Sequence, residues 1–422
     1  MASSDSSSNP ALEILAQCDF FCCESDLKRL KAISDSMFAL EFGSENSVFD
    51  RQSVFVASSR LPQKLDEIPE FFDGVSKLAM NLDGDSEVLL TANGTACDAM
   101  VRRVGQLFRT EVVEVRMAPL DPKKLNAVVS SLEGSKVVFV FDFENRGVDF
   151  ALASLASQMT ALSVRKGGNL HSALLHRLKD GKPARVLVES TLTKKKLTEE
   201  LLSAGATGWV LLDAAETESV EPDSGVAVLN QFDASDFLLH WTRRRVGPWP
   251  DQTEIDFLDD LLFRSSRKDH REVASLKRIL ATQRILAGSV LTRDPRPVVC
   301  FSDVTFEELG QLRTFRPHLS RWDFEPFGVA IRKSWLQEKG AAAVVYGDES
   351  TWESLPDEKR AFFQLNDPNG KIDWSAEREW RIVGDVDLRA VPMDAAVVFV
   401  RTVADAAEVN GFCRWPIVVL GD

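Results

Sequence analysis

"KVVFVFDF", Lys136 to Phe143, sets five apolar residues in unbroken succession, Val137 to Phe141. A strand with one face in water alternates apolar and polar residues, because successive Cβ atoms point to opposite faces. An unbroken run therefore describes a strand covered on both sides, as in a parallel sheet between two layers of helices. The runs around it read the same way: "SVFVASS", "EVLLTANG" and "EVVEVRM" before it, "ALSVRKGGN", "ARVLVEST" and "GWVLLD" after it. Between these runs lie "KLDEIPEFFDGVSKLAM", "CDAMVRRVGQLF", "DPKKLNAVVSSL", "VDFALASLASQM", "LHSALLHRL" and "KKKLTEELLSAG", whose apolar residues recur at helical spacing. Alternation of the two periods implies βαβ units. Residues 51–215 are thus expected to form a Rossmann-like α/β domain, a parallel sheet with helices on both faces.

Outward from this block the pattern changes. Residues 1–50 read as a serine-rich tail, "MASSDSSSNP", and a helical extension, with "NPALEILAQ" and "ESDLKRLKAISDSMFAL" as its helices. Residues 216–236 lie in an acidic stretch poor in large apolar residues and read as a linker. Residues 237–422 hold eight of the nine tryptophans, leaving only Trp209 before them. Here two helical stretches, "QTEIDFLDDLLFRSS" and "REVASLKRILATQRILAG", precede several short separated strands. That order predicts an α+β domain.

Composition narrows the function classes. At 422 residues, 44% hydrophobic and 27% charged, the chain has globular values and room for more than one core. Its net charge of −14 argues against general nucleic-acid binding, since an acidic surface repels phosphate. No run approaches the ~20 apolar residues that span a bilayer, and the N-terminus lacks the apolar core of a signal peptide. The chain reads as cytoplasmic. Cys18, Cys22 and Cys23 cluster, yet no second pair of ligands at zinc spacing follows, so buried thiols are expected and no metal.

Two turns in the first domain fit a ligand. Open parallel sheets bind beyond the carboxyl ends of their strands, where loops and helix N-termini meet. In "TANGTACD", Asn93 and Gly94 turn the chain and Thr95 is placed to cap the next helix. In "RKGGN", two cations, Arg165 and Lys166, precede the flexible pair Gly167 and Gly168. Backbone amides at either turn suit a phosphate, with a nucleotide or nucleotide-sugar as the ligand class. Ordinary strand-to-helix turns use the same residues. The sheet and its glycine turns resemble the nucleotide-sensing Rossmann domains related to DNA-processing proteins.

The second domain has denser polar motifs. In "FLLHWTRRRVGPWP", His240 and Thr242 fall on one face of a strand, and Arg243, Arg244 and Arg245 follow. The three guanidinium groups suit a phosphate or pyrophosphate; equally, they suit a solvated turn paired to nearby acids. "VVCFSDV" ends in Ser302 with no histidine base at close spacing, which argues against a serine hydrolase. "FRPHLSRWDFEPFG" gathers His318, Arg321, Asp323 and Glu325 in what reads as a surface loop. Tyr346, the chain's single tyrosine, ends an apolar run and is expected as a core hydroxyl with one hydrogen bond. In "DWSAEREWRIVGD", Asp373 to Asp385, an extended chain puts Glu377, Glu379 and Arg381 on one face and Arg378, Trp380 and Ile382 on the other. Carboxylates two residues apart along a strand lie about 7 Å from each other, close enough to act on one ligand. An ion-pair ladder anchored by Trp380 fits the pattern as well.

The run "CFSDVTFEEL", then "PFGVAIRKSWLQEKGAAAVVYGD", then "DWSAEREWRIVGD" resembles the AbiGi-type abortive-infection family and its relatives. The resemblance spans roughly Phe237 to Val400 and implies a bacterial, phage-defence setting without naming an activity. A looser likeness joins this half to ADP-ribosyltransferases, through His240 and Thr242, then Phe301 and Ser302, then Glu377-Arg378-Glu379, in that order. It implies an enzyme using NAD. His240 and Thr242 would hold the nicotinamide ribose and Ser302 would support the site, with Arg243 and Arg321 as further cofactor-binding candidates. Glu379 would stabilise the oxocarbenium-like transition state, and Glu377 would orient the acceptor. The pattern lacks the family's Ser-Thr-Ser run. The competing expectation is a non-catalytic regulatory or partner-binding protein in which the acidic strand is structural. A metal-dependent nuclease fits least, for want of a carboxylate cluster.

Overall fold

A computed structural model describes residues 10–18, 29–42, 47–132, 136–211, 228–229, 232–289, 292–308, 312–316, 321–366 and 374–421. The chain divides into two compact units, residues 1–215 with 250–268, and residues 216–249 with 269–422. The segment 250–268, expected with the second half, therefore belongs to the first unit. Cys22, Cys23 and His318, and most of the expected linker, lie outside the described residues.

The stretch that sets the fold of the first unit is a strand buried at every position from Val137 to Asp142. It is the sixth of nine: β1 (Arg29–Ser34), β2 (Met37–Phe42), β3 (Gln52–Ser58), β4 (Glu87–Thr91), β5 (Val112–Met117), β6 (Val137–Asp142), β7 (Gln158–Ser163), β8 (Ala184–Val188) and β9 (Thr207–Val210). Their spatial order is β1-β2-β6-β5-β4-β3-β7-β8-β9. All pairings from β6 to β9 are parallel, while β1 and β2 form an antiparallel hairpin added to β6. The helices are α1 (Pro10–Leu15), α2 (Pro69–Met80), α3 (Asp98–Phe108), α4 (Pro122–Ser130), α5 (Val148–Leu155), α6 (Asn169–Lys179), α7 (Lys195–Ser203) and α8 (Glu254–Leu262). On one face Phe55, Ala57, Val88 and Leu90 pack against Ala151 and Leu152 of α5, Leu174 of α6 and Leu201 of α7. On the other, Val54, Val56 and Leu89 meet Phe71 and Phe72 of α2, Val101 of α3 and Leu261 of α8. Each such buried side chain contributes about 1.5–3 kcal/mol, which explains why neither face tolerates polar alternation.

The helix expected over "ESDLKRLKAISDSMFAL" is instead the β1–β2 hairpin. Its apolar spacing suits either period over so short a run. Pairing with β6 from Met37↔Asp142 to Phe42↔Val137 buries Met37 to Glu41 and decides the matter.

The chain runs from β3 outward through β4, β5 and β6, then returns to β7 on the other side of β3. The direction reverses at the β3/β7 boundary, the position beyond whose strand carboxyl ends open α/β sheets take their ligands.

The second unit is built on a mixed eight-stranded sheet, with small strand pairs beside it. Its strands are β10 (Val228–Leu229), β11 (Phe237–Trp241), β12 (Arg284–Ile285), β13 (Val298–Ser302), β14 (Phe315–Arg316), β15 (Arg321–Trp322), β16 (Gly328–Arg332), β17 (Ala342–Ala343), β18 (Val345–Gly347), β19 (Phe363–Leu365), β20 (Glu379–Val383), β21 (Val386–Asp387), β22 (Ala396–Val400) and β23 (Ile417–Val419). The main order is β10-β23-β22-β16-β11-β13-β20-β17; the pairs β12–β21, β14–β15 and β18–β19 stand outside it. Helices α9 (Glu272–Thr282), α10 (Lys333–Glu338), α11 (Glu349–Ser354) and α12 (Val403–Asn410) complete the unit. Leu238, Phe301, Val329 and Val398 share one face with Leu276 of α9, Leu336 of α10 and Val409 of α12. Phe237, Leu239, Ala330 and Phe399 line the other, with Trp241 and Phe306 against them.

No described helix is long and apolar enough to cross a membrane.

Candidate functional site

At the reversal point the loops after β3 and β7 are tied together. The Arg165 N–H donates to Ser59 Oγ at 2.8 Å, and the Ser59 N–H donates to the Ser163 carbonyl at 2.8 Å. The loop after β8 joins them, since Thr193 Oγ1 accepts from the Val164 N–H at 2.9 Å. Gly167 takes φ +76°, a left-handed turn that a Cβ would strain. Its N–H donates to His171 Nδ1 at 3.3 Å, and the other ring nitrogen, Nε2, lies 3.6 Å from Glu200 Oε1. Lys166 meets the other oxygen of Glu200 at 2.9 Å, and that hydrogen bond leads the causes that hold the carboxyl below its usual range. Gly168 starts α6 with no side-chain cap, leaving the first N–H groups of the helix directed outward.

Charge gathers at this edge. Arg60, just past β3, and Arg165, just past β7, are both exposed, and neither guanidinium has a partner among the described residues. Lys194, Lys195 and Lys196, at the start of α7, are exposed and unpaired in the same sense. Three ammonium groups on the first turn of a helix oppose its dipole, an arrangement an anion would relieve. "RKGGN" thus supplies Arg165, Gly167 and Gly168 to the edge. Arg60, His171 and the lysine triplet were missed, although "SSRLP" directly after a strand and "KKK" directly before a helix were visible signals.

The other turn is less open to an anion. Asn93 and Gly94 are exposed, with Gly94 at φ +84°, but Thr95 does not cap α3. Its hydroxyl donates back to the Ala92 carbonyl at 2.8 Å and closes the turn; the cap position is Cys97. The first turn of α3 already carries an anion of its own: Asp98 accepts from Thr91 Oγ1 at 2.9 Å and from Arg102 Nε at 2.8 Å. A second anion there would meet like charge.

In the second unit, β11, β13 and β20 lie side by side, yet their register separates the expected catalytic residues. Ser302 pairs with Leu239 on one side and Glu379 on the other. Strand alternation then puts Ser302, Glu379, Cys300 and Arg381 on one face and His240, Phe301 and Trp380 on the opposite one. His240 lies edge-on to Phe301, with ring centroids 5.7 Å apart, and its Nδ1 is 2.9 Å from the Cys300 carbonyl. Burial, with a smaller push from Arg243, lowers its pKa against the opposing hydrogen bond to the Cys300 carbonyl. Glu379 is locked by Arg381, which donates to its two oxygens at 3.0 and 3.1 Å. The Glu379 N–H donates to the Tyr346 hydroxyl at 2.9 Å, and burial pushes that phenol up to about 12.

Glu377 is not on the strand. It ends a 3₁₀ turn, Trp374–Glu377, and Arg378 at φ +43° breaks the extension before β20 begins. The Glu377 carbonyl accepts from Ser302 Oγ at 2.6 Å. Thr242 is buried, its hydroxyl shared between the Glu272 and Phe327 carbonyls at 3.2 Å each. Arg243 is exposed, Arg244 lies 3.9 Å from Glu272, and Arg245 donates to the Pro248 carbonyl at 2.7 Å, so the three cations diverge. Arg321 belongs to β15; its side chain lies outside the described ones. Of the residues expected to act together, His240 thus lies on the sheet face opposite Ser302 and Glu379.

Asp323 and Glu325, expected on a surface loop, are buried. Glu325 accepts from Arg401 at 2.7 Å and Arg313 at 3.1 Å. Burial nevertheless raises its pKa, with the neighbouring Glu272 adding to the effect against the two arginines.

The chain is therefore an α/β protein whose large, mostly parallel sheet is flanked by helices and carries a cationic carboxyl edge, joined to a unit with a mixed sheet. No protein family matches it, and no curated protein does. Several solved structures resemble part of it. DNA processing protein A from Helicobacter pylori, described for its single-stranded DNA binding mode, is 14% identical with a TM-score of 0.32, over 44% of this chain and 89% of that one. The molybdenum cofactor carrier protein of Chlamydomonas rheinhardtii is 11% identical with a TM-score of 0.26, over 39% and 90%. DNA processing protein A from Streptococcus pneumoniae is 12% identical with a TM-score of 0.27, over 41% and 62%. At this level the likeness concerns the fold alone. One expectation is corrected all the same: a net charge of −14 does not set nucleic acid aside, because cations without partners among the described residues gather at the carboxyl edge of the first sheet. Net charge sums over the whole surface and says nothing of how cations are distributed on it.

Proposed function

We propose that the first unit is a Rossmann-like domain that binds a phosphate-bearing ligand of the nucleotide class beyond the carboxyl ends of β3, β7 and β8. One observation carries the reading: five exposed cations without partners among the described residues, Arg60, Arg165, Lys194, Lys195 and Lys196, border the uncapped start of α6 in a chain of net charge −14. Arg60 and Arg165 supply planar, bidentate donors for phosphate oxygens. The α6 N–H groups beyond Gly168 receive a second oxygen, and the lysines on α7 draw the anion in. His171, held by Gly167 and Glu200, sets the shape of the loop. In the second unit the Glu379–Arg381 pair acts as a structural anchor, in keeping with a regulatory or partner-binding role. The resemblance of this half to the AbiGi-type family would give the pair of units a bacterial setting.

The test is titration of the full chain with nucleoside mono-, di- and triphosphates and with inorganic phosphate, read by calorimetry and thermal shift. A bound ligand raises the unfolding midpoint in proportion to the logarithm of its concentration above Kd. Arg60→Ala with Arg165→Ala should weaken binding at least about tenfold, as loss of charge-assisted bonds does, and leave the ligand-free midpoint unchanged. Equal affinity in variant and parent, or no stabilisation by any phosphate compound, would discard the reading.

A further inference from the structure

Glu189 is the first residue past β8, on the same carboxyl edge as the five cations. Its carboxylate is exposed and has no hydrogen-bond or ion-pair partner among the described residues, although Lys194, Lys195 and Lys196 follow a few positions later. Its backbone takes φ +55°, a left-handed conformation that a Cβ strains and glycine favours. The loop around it is nonetheless fixed. Ser190 Oγ, the Thr191 N–H at 3.2 Å and Thr191 Oγ1 at 3.3 Å all donate to Glu70, and Ser163 Oγ donates to the Leu192 carbonyl at 3.0 Å. Glu70 thus serves the fold, whereas Glu189 is a second acid, held in place, that no described residue engages.

A strained residue kept in a fixed loop points to a use for its side chain in binding. β7, α6 and β8 form one βαβ unit, with β8 paired parallel to β7 from Met159↔Ala184 to Ala161↔Val186. Gly168 precedes the helix, and Glu189 ends the next strand about 20 residues on. In such a unit the helix start suits a phosphate, and an acid at the end of the neighbouring strand suits the sugar attached to it. A carboxylate among cations repels a bare phosphate. It suits a ligand that brings neutral donors along with its anion, and a vicinal diol matches its two acceptor oxygens. We infer that Glu189 accepts the ribose 2′- and 3′-hydroxyls of a ribonucleoside 5′-phosphate whose phosphate lies at Arg60, Arg165 and the start of α6. The inference rests on the phosphate site proposed above and names its ligand as a ribonucleotide, in preference to a deoxyribonucleotide or free phosphate.

The experiment is calorimetric titration of the full chain with ADP, 2′-deoxy-ADP and pyrophosphate. ADP should bind about tenfold more tightly than its deoxy form, as one hydrogen bond to a charged acceptor provides. Glu189→Ala should weaken ADP by about tenfold or more, bring ADP and 2′-deoxy-ADP to equal affinity, and leave pyrophosphate as tight as before or tighter. A merely structural residue would weaken all three together. Glu189→Gly, which the left-handed φ favours, should lose the ribose preference in the same way with an unfolding midpoint no lower than the parent's, which separates the loss from a failure to fold. Pyrophosphate binding with no preference for ADP over its deoxy form would overturn the subsite and leave the phosphate site standing. A preference that survives in both Glu189 variants would do the same. No binding of any of the three probes would overturn the phosphate site, and the subsite with it.

Discussion

Arg381 makes five hydrogen bonds from one buried guanidinium: two to Glu379, one each to the Ala361 and Phe363 carbonyls, and one to Gln364 Oε1. With 2% of its surface exposed, it resembles a core residue that happens to be charged. Removing one partner of a buried, fully bonded pair leaves the other charge unpaired, a loss of about 3–5 kcal/mol. Arg381→Met should therefore lower unfolding stability by that order in denaturant titration. Glu379→Gln, which keeps the shape and a carbonyl acceptor, should cost less, about 1–3 kcal/mol. A stability change below about 0.5 kcal/mol in Arg381→Met would contradict the anchor role. At this scale the sequence was legible in part. "EREWR" placed Glu379 and Arg381 on one face and Trp380 on the other, as the register confirms. It carried no sign of Ala361, Phe363 and Gln364, since the donors and acceptors that saturate a buried arginine come from a segment outside the motif. Nor did it show that Arg378 takes a positive φ, which removes Glu377 from the strand.

Elements are positioned by close approaches as much as by burial, and Gly328 is the clearest case. A Cβ built there would lie 2.1 Å from the His240 carbonyl oxygen and 2.5 Å from Phe399 Cζ. Gly328 opens β16, which pairs with β11 from Trp241↔Gly328 to Phe237↔Arg332 and with β22 on its other side. The backbone atom of β11 cannot yield without breaking that ladder, so Gly328→Ala should destabilise by about 3 kcal/mol or more, in the range of severe overpacking. Gly288→Ala, where a Cβ meets nothing within 4 Å, is the control and should be close to neutral. A small effect at both positions in thermal unfolding would show that β16 can shift relative to β11. Strand identity was readable wherever a sheet is covered on both faces, because such burial leaves unbroken apolar runs like Val137–Phe141. It was not readable for β1 and β2. Their antiparallel pairing to β6 is a tertiary choice, and "LKRLKAI" has an apolar spacing that suits a helix too. The register that parts His240 from Glu379 is likewise a property of three strands together, invisible in the order of motifs along the chain.

Over the whole molecule acids are in excess, yet five exposed cations without partners among the described residues lie at the carboxyl edge of one sheet. The net charge was plain in the composition, but its uneven placement depends on which strands are neighbours, and that order emerges only in the fold. The lysine triplet shows what the unevenness costs. Lys194, Lys195 and Lys196 occupy the cap and first two positions of α7, where the helix dipole disfavours positive charge by about 0.3–1 kcal/mol per group. They pair with nothing among the described residues, so no ion-pair gain offsets this. A triple Lys→Gln variant should therefore be more stable than the parent by about 1 kcal/mol, with a higher unfolding midpoint in ligand-free buffer. The same change should weaken the phosphate ligand and flatten its dependence on salt, because fewer counterions are displaced on binding. Arg60 and Arg165 remain in place, so the loss should appear mainly as slower association at low ionic strength, with the dissociation rate little altered. Stability and affinity moving in opposite directions is the signature of charges kept for binding rather than folding. If the variant lost stability, or bound phosphate with an unchanged salt dependence, the lysines would belong to the scaffold and the ligand edge would end at Arg60 and Arg165.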